Sequence, residues 1–138
     1  MEPVRYLLDT NICIYLMKRH PPQVVARLED LYYGEAVISA ITLAELRAGL
    51  DINPSTRARN TFALEALLQD LPVLPFDSAA AVSYGVIRAA IRDRRRDALD
   101  RLIAAHAVSL GIVLITNNED DFKDYPGLVV ENWLTPIQ

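Results

Sequence analysis

The chain has 138 residues, 51% of them hydrophobic, the size and apolar content of one domain with a continuous core. No run of about 18 apolar residues is present to span a bilayer, Glu2, Pro3 and Arg5 before a short apolar run do not read as a signal peptide, and the single cysteine, Cys13, excludes an internal disulfide and a Cys-based zinc cluster. A net charge of -4 argues against a surface that attracts polyanions everywhere, so we expect a cytoplasmic protein whose nucleic-acid contacts, if any, are local.

In chain order, "VRYLL" (Val4 to Leu8) predicts a short buried strand. Ile12, Tyr15 and Leu16 then fall at helical spacing until "HPP" stops the helix. Val24, Val25, Leu28, Leu31 and Tyr32 predict a second helix, closed near Gly34, and "AVIS" (Ala36 to Ser39) a second buried strand. Thr42 is expected to open a helix running to about Gly49, and Asn53-Pro54-Ser55 to turn the chain into a longer one with Leu64, Leu67, Leu68 and Leu71 on its apolar face. "VLPF" (Val73 to Phe76) predicts a third strand, with Asp77 capping a helix from Ser78 to about Asp93. Asp97 to Leu110 has Leu99, Ile103, His106 and Leu110 on one face and Gly111 as its stop. "IVLIT" (Ile112 to Thr116) and "LVVEN" (Leu128 to Asn132) are the remaining strands. Strands that are apolar throughout and alternate with helices predict an α/β fold, a parallel sheet of about five strands sandwiched by helices, over the whole of residues 1–138. Ligands in such folds bind outside the carboxyl ends of the strands, which is where Asp9 and the residues after Thr116 fall.

Each notable acid has a local explanation. Asp9 precedes a helix and suits an N-cap. Thr42 to Glu45 has the spacing of a capping box, and the acids of Asp97 to Asp100 and Asn118 to Asp121 favour helix amino ends. Taken together, these acids share one rim of a parallel sheet. Carboxylates gathered there repel unless a cation balances them, and all-oxygen donors suit Mg²⁺ or Mn²⁺. Such an ion polarises phosphoryl oxygens and activates water. No competing catalytic set is evident. His106 in "IAAHAV" reads as a satisfied core histidine, Cys13 as an inert buried thiol, and there is no Gly-rich phosphate loop.

"LLDTNICIYL", "SAITLAELRAGL", "DRLIAAHAVSLGIVLITNNEDDF" and "GLVVENW" resemble, in order and over nearly the whole chain, the blocks of PIN-domain ribonucleases, and among these the VapC toxins of bacterial toxin–antitoxin systems. The resemblance implies a parallel α/β/α sandwich and an acidic pocket. In that pocket Asp9, Glu45, Asp100 and Asp121 stand at the catalytic and metal-binding positions. Asn118 stands where many relatives carry aspartate, so Asp121 is expected to supply the missing carboxylate. Asn11 and Thr116 are expected to hydrogen-bond the acids from behind, together with Asn118 and Ser39, although for Ser39 a buried strand-end hydroxyl is the plainer reading. Relatives often have a Gly-containing, less charged loop before Asp100, whereas this chain reads "RDRRRDALD". A run of arginines is usually a solvated surface. Beside an acidic metal site, Arg94, Arg95 and Arg96 are instead expected to hold an RNA backbone without reading its sequence. Arg47, within a turn of Glu45, is expected to meet substrate or an inhibitor's acidic tail.

The resemblance thus implies a Mg²⁺- or Mn²⁺-dependent endoribonuclease that halts translation by cutting a structured RNA such as a tRNA, the anticodon stem-loop of initiator tRNA in some relatives. It also implies a homodimer and a VapB-type antitoxin lying in an apolar groove near Tyr15, Leu16, Leu28 and Tyr32. Operator DNA would be bound only through the antitoxin, and no membrane is involved. The rivals are an RNA-maturation PIN nuclease without an antitoxin and a non-catalytic binding module whose acids are only caps. Haloacid-dehalogenase-like phosphatases want an acid where Asn11 stands, and receiver domains want a lysine after a later strand, where asparagines follow Thr116.

Overall fold

Tyr6–Leu8 (β1), Ala36–Ser39 (β2), Val73–Leu74 (β3), Val113–Ile115 (β4) and Val130–Glu131 (β5) form one sheet in the computed structural model, which describes residues 3–91 and 98–135. Every pairing is parallel and the strand order is β3-β2-β1-β4-β5. β2 spans the whole of its expected run, Ala36 to Ser39, whereas β1, β3, β4 and β5 are each shorter than theirs.

The pleat sends alternate side chains to opposite faces. Tyr6 and Leu8 of β1, with Ile38 and Ile115, join the core under helices Thr10–Lys18 (α1), Pro22–Glu29 (α2), Ala40–Ile52 (α3) and Arg57–Asp70 (α4). Leu7, Val37 and Leu114 face the second core, under Ser78–Ala90 (α5) and Ala98–Leu110 (α6). Both sheet faces are therefore covered, as uniformly apolar strands require.

The expected stops and starts hold in several places. Gly111 ends α6 at a φ of 68°, and Ile112 N–H reaches back to the Ala107 carbonyl at 3.2 Å, the closing bond of a left-handed helix terminus. Asp77 caps α5 through Ala80 N–H at 3.0 Å, and Asn53 accepts from Ser55 N–H in the turn before α4. Two expectations fail. The helix α2 ends at Glu29, short of Tyr32, because Glu35 turns back to accept from Tyr32 N–H and from Arg5. The helix α3 starts at Ala40 rather than Thr42, capped by Ser39, whose Oγ accepts from Ile41 N–H at 3.1 Å. Thr42 is thus a buried residue inside the first turn, and the expected capping box with Glu45 does not form. Asp93 and Asp97, expected as helix ends, lie outside the described residues.

The chain lays β2 and β3 on one side of β1, then returns to add β4 and β5 on the other. The direction of winding reverses between β1 and β4. The crevice beyond the carboxyl ends of these two strands is the switch point at which doubly wound sheets bind ligands.

Candidate active site

Asp9 directly follows β1, and Thr116 directly follows β4. The ladder continues one step between them, with Asp9 N–H donating to the Ile115 carbonyl at 3.0 Å. Asp9 is the N-cap of α1, its Oδ1 accepting from Ile12 N–H at 3.0 Å. The carboxylate therefore does cap α1, and it does so on the rim where doubly wound sheets bind ligands. Only 7% of Asp9 is exposed, an unusual place for an acid. Burial pushes its pKa up, and the nearby charge of Glu45 pushes the same way. Hydrogen bonds from the Thr116 hydroxyl and the Ile12 and Asn11 amides oppose the rise without cancelling it.

Glu45 projects from the second turn of α3, and its Oε1 accepts from the Thr10 hydroxyl at 2.7 Å. Thr10 opens α1 beside Asp9, so one polar tripeptide, Asp9-Thr10-Asn11, supplies an acid and orients another. Thr10 was not among the expected site residues, although its place beside Asp9 was the available signal. Cys13, fully buried in the next turn of α1, has its thiol pushed up by burial and then by the charges of Asp9 and Glu45, and remains an inert thiol. Among the described residues neither Asp9 nor Glu45 forms an ion pair with a Lys or Arg side chain.

Thr116 is fully buried at the end of β4. Its hydroxyl serves Asp9 and also accepts from Asn118 N–H at 3.0 Å. Asn118 Nδ2 donates to Asp121, which closes the 3-10 turn Glu119–Asp121 on the exposed side of the crevice. Asp100 stands in the first turn of α6, which runs antiparallel to the sheet into β4, so its amino end belongs to the same rim.

Two expected supports act elsewhere. The side chain of Asn11 donates to Asn117 Oδ1 at 3.4 Å, and only its backbone amide serves Asp9. Ser39 is buried, caps α3, and has its Oγ 2.8 Å from His106 Nδ1. His106 is the satisfied core histidine expected, with its ring edge-on to Phe76 and its pKa lowered by burial. Arg47 is exposed on α3. Arg94, Arg95 and Arg96 lie outside the described residues.

The structure thus joins Asp9 to Glu45 through adjacent positions of α1, and Asn118 to Asp121. Among the described residues no three His, Cys, Asp or Glu side chains form a group able to hold a metal ion. The donor chemistry nevertheless fits a hard divalent cation. The donors are all oxygen, one carboxylate is buried at a cost that a cation would offset, and Mg²⁺ keeps several waters while taking only one or two carboxylates.

A second concavity lies on the other side of α1, a groove of about 560 Å³ between α1, α2 and α4. Leu16, Val25, Leu28, Tyr32, Phe62 and Leu67 are among the residues lining it. Phe62 and Tyr32 are strongly exposed for aromatic side chains, 76% and 68%.

The sequence matches the family model of the PIN domain over residues 6–128. The tRNA(fMet)-specific endonuclease VapC of Shigella flexneri is 37% identical over 132 residues, 94% of this chain and 98% of that protein. Ribonuclease VapC2 of Rickettsia felis is 35% identical over 131 residues, 93% of this chain and 97% of its own length. Among solved structures, the DNA-bound VapBC of Salmonella typhimurium superposes with a TM-score of 0.85 at 36% identity, covering 94% of this chain and 98% of the matched one.

Proposed function

The chain belongs to the PIN-domain family and within it to the VapC ribonucleases, and we propose that it is the metal-dependent endoribonuclease toxin of a toxin–antitoxin pair, cutting a tRNA with Asp9, Glu45, Asp100 and Asp121. One observation carries the metal: Asp9 is buried at the switch point, beside Glu45, and among the described residues no positive side chain is paired to either. Mg²⁺ or Mn²⁺ bound there would polarise the scissile phosphate and lower the pKa of a water.

The chain's own residues do the rest. Asp9, its Oδ1 held by Ile12 N–H and its carboxylate favoured by the neighbouring Thr116 hydroxyl and Asn11 amide, offers a positioned carboxylate. Glu45, fixed by Thr10, faces the same crevice and serves directly or through water. Asp100 and Asp121 complete the acidic rim. Rigid placement of this kind keeps reacting groups aligned through the transition state. Arg94, Arg95, Arg96 and Arg47 are assigned to the RNA backbone, where positive charge positions a strand without reading bases.

The name of the Shigella flexneri relative supports initiator tRNA as the substrate, and cleavage in its anticodon stem-loop would stop translation. Relatives solved as VapBC complexes, two of them on DNA, support a VapB-type antitoxin and operator binding through it. The groove between α1, α2 and α4 is assigned to that antitoxin. The toxin is assigned to the cytoplasm, where tRNA is, and to a homodimer.

Incubation of the purified chain with bulk tRNA and Mg²⁺ or Mn²⁺, beside EDTA and Asp100→Asn controls, tests the reading. Discrete fragments that disappear in both controls are expected, and their mapping identifies the target. A folded chain that neither binds metal nor cuts RNA would return the acids to helix capping alone.

A further inference from the structure

The switch-point crevice is walled by two segments that differ in rigidity. The first turn of α1 is tied to the sheet by Asp9 N–H and to the core by Ile12, Cys13 and Leu16. Residues 116–121 continue β4 for one backbone bond, Thr116 N–H to the Glu131 carbonyl at 3.1 Å, and then leave the sheet. This second wall carries Asn118 and Asp121 and is mostly exposed. Asn117 bridges the two walls. Its Oδ1 accepts from Asn11 Nδ2 at 3.4 Å, and its Nδ2 donates to Tyr15 Oη at 3.1 Å. Both partners belong to α1, more than a hundred residues away in sequence, and Tyr15 packs against the main core.

We propose that Asn117 is a positioning residue for the reaction: its side-chain amide locks the loop after β4 onto α1, and so holds the Thr116 hydroxyl and Asp121 in register with Asp9. The proposal rests on the reading of this crevice as the metal-dependent nuclease site. An amide suits the place because it must accept at one end and donate at the other, which an isosteric leucine cannot do. The longer contact, to Asn11, lies at the limit of a useful hydrogen bond, so the Tyr15 bond does more of the holding. Among the described residues Asn117 makes its side-chain hydrogen bonds with Asn11 and Tyr15 rather than with an acid. It acts through its neighbour Thr116, whose hydroxyl reaches Asp9, and through Asn118, whose side chain holds Asp121. The sheet pairing around it is made by backbone groups, so its loss spares the fold.

The test compares Asn117→Leu, Tyr15→Phe and their double variant with the parent chain. The readouts are tRNA cleavage under single and multiple turnover, Mn²⁺ binding by calorimetry, and thermal melting without metal. Asn117→Leu is expected to lower kcat and Mn²⁺ affinity by about tenfold each, with KM within about twofold, the loss typical of partners that orient metal ligands. Tyr15→Phe should lose less in the same direction, and the double variant should fall no further than Asn117→Leu, as for two ends of one contact. Metal-free melting should stay close to the parent in Asn117→Leu. A parent that binds and cuts while Asn117→Leu matches it, or losses that simply add, would overturn the positioning role alone. A parent that neither binds Mn²⁺ nor cuts tRNA would overturn both this role and the site reading.

Discussion

Replacing Asp9 by asparagine separates the two roles of that side chain. The amide introduced by Asp9→Asn keeps an oxygen that can accept from Ile12 N–H, and asparagine caps helices as well as aspartate does. What the change removes is a negative charge that burial and Glu45 disfavour. The sign follows from linkage. A carboxyl whose pKa is raised on folding contributes stability below its unfolded value, about 3.9, and that contribution is lost as pH rises through the folded value. In metal-free protein Asp9 therefore contributes less stability as pH rises from about 4, so the margin of Asp9→Asn over the parent should grow with pH and leave it melting higher than the parent at pH 7. Asp9→Ala loses the cap as well. It should melt below Asp9→Asn by about 1 kcal/mol, or about 3 to 4 °C for a domain of this size. Added Mg²⁺ at ten times its dissociation constant should stabilise the parent by about 1.4 kcal/mol and leave Asp9→Asn nearly unmoved. Scanning calorimetry across pH 4 to 8, with and without Mg²⁺, reads all of these. Should Asp9→Asn melt lower than the parent at neutral pH, or both respond equally to Mg²⁺, Asp9 would be a helix cap and nothing more.

Three further outcomes are expected. Thr10→Val keeps the shape of the side chain but frees Glu45, and should reduce cleavage by about tenfold while melting within a few degrees of the parent; unchanged cleavage would remove Thr10 from the site. His106 has a pKa lowered by burial, so it supports the fold above its unfolded value of about 6.5, and that support is lost as pH falls. Urea unfolding between pH 5 and 7 should show His106→Gln with a shallower loss of stability on acidification than the parent, and parallel curves would mean the ring is not buried neutral. Phe62→Asp places a charge in the α1–α2–α4 groove, where the aromatic ring is exposed, and should weaken antitoxin binding by about 10- to 100-fold in calorimetry with tRNA cleavage intact. Full affinity would locate the antitoxin elsewhere.

The layout of the chain was largely legible in its sequence. Apolar runs as uniform as "AVIS" belong only in a sheet covered on both faces, and Gly111, Asp77 and Asn53 end or begin their elements through backbone geometry and short polar side chains that act within a few residues. Asp9 was legible for the same reason: an acid closing a strand and opening a helix must lie on the binding rim of a parallel sheet.

Contacts between distant segments were a different matter. The spacing of Thr42 and Glu45 matched a capping box, yet Ser39 takes the cap because it ends β2 where the helix turns away, and Glu45 is left to meet Thr10 across the crevice. Asn11 turned toward Asn117, and Ser39 toward His106, more than sixty residues from their own positions. Local propensity and periodicity report what a residue does within one turn or one strand. The strand order β3-β2-β1-β4-β5, which sets β1 against β4, decides which distant polar groups meet. The sequence by itself therefore determined the elements, the two-faced core and the acids on offer. Only the tertiary structure decided that Thr10 holds Glu45 and that Asn117 meets Asn11 and Tyr15, because a hydrogen bond between remote residues depends on the packing that brings them within about 3 Å.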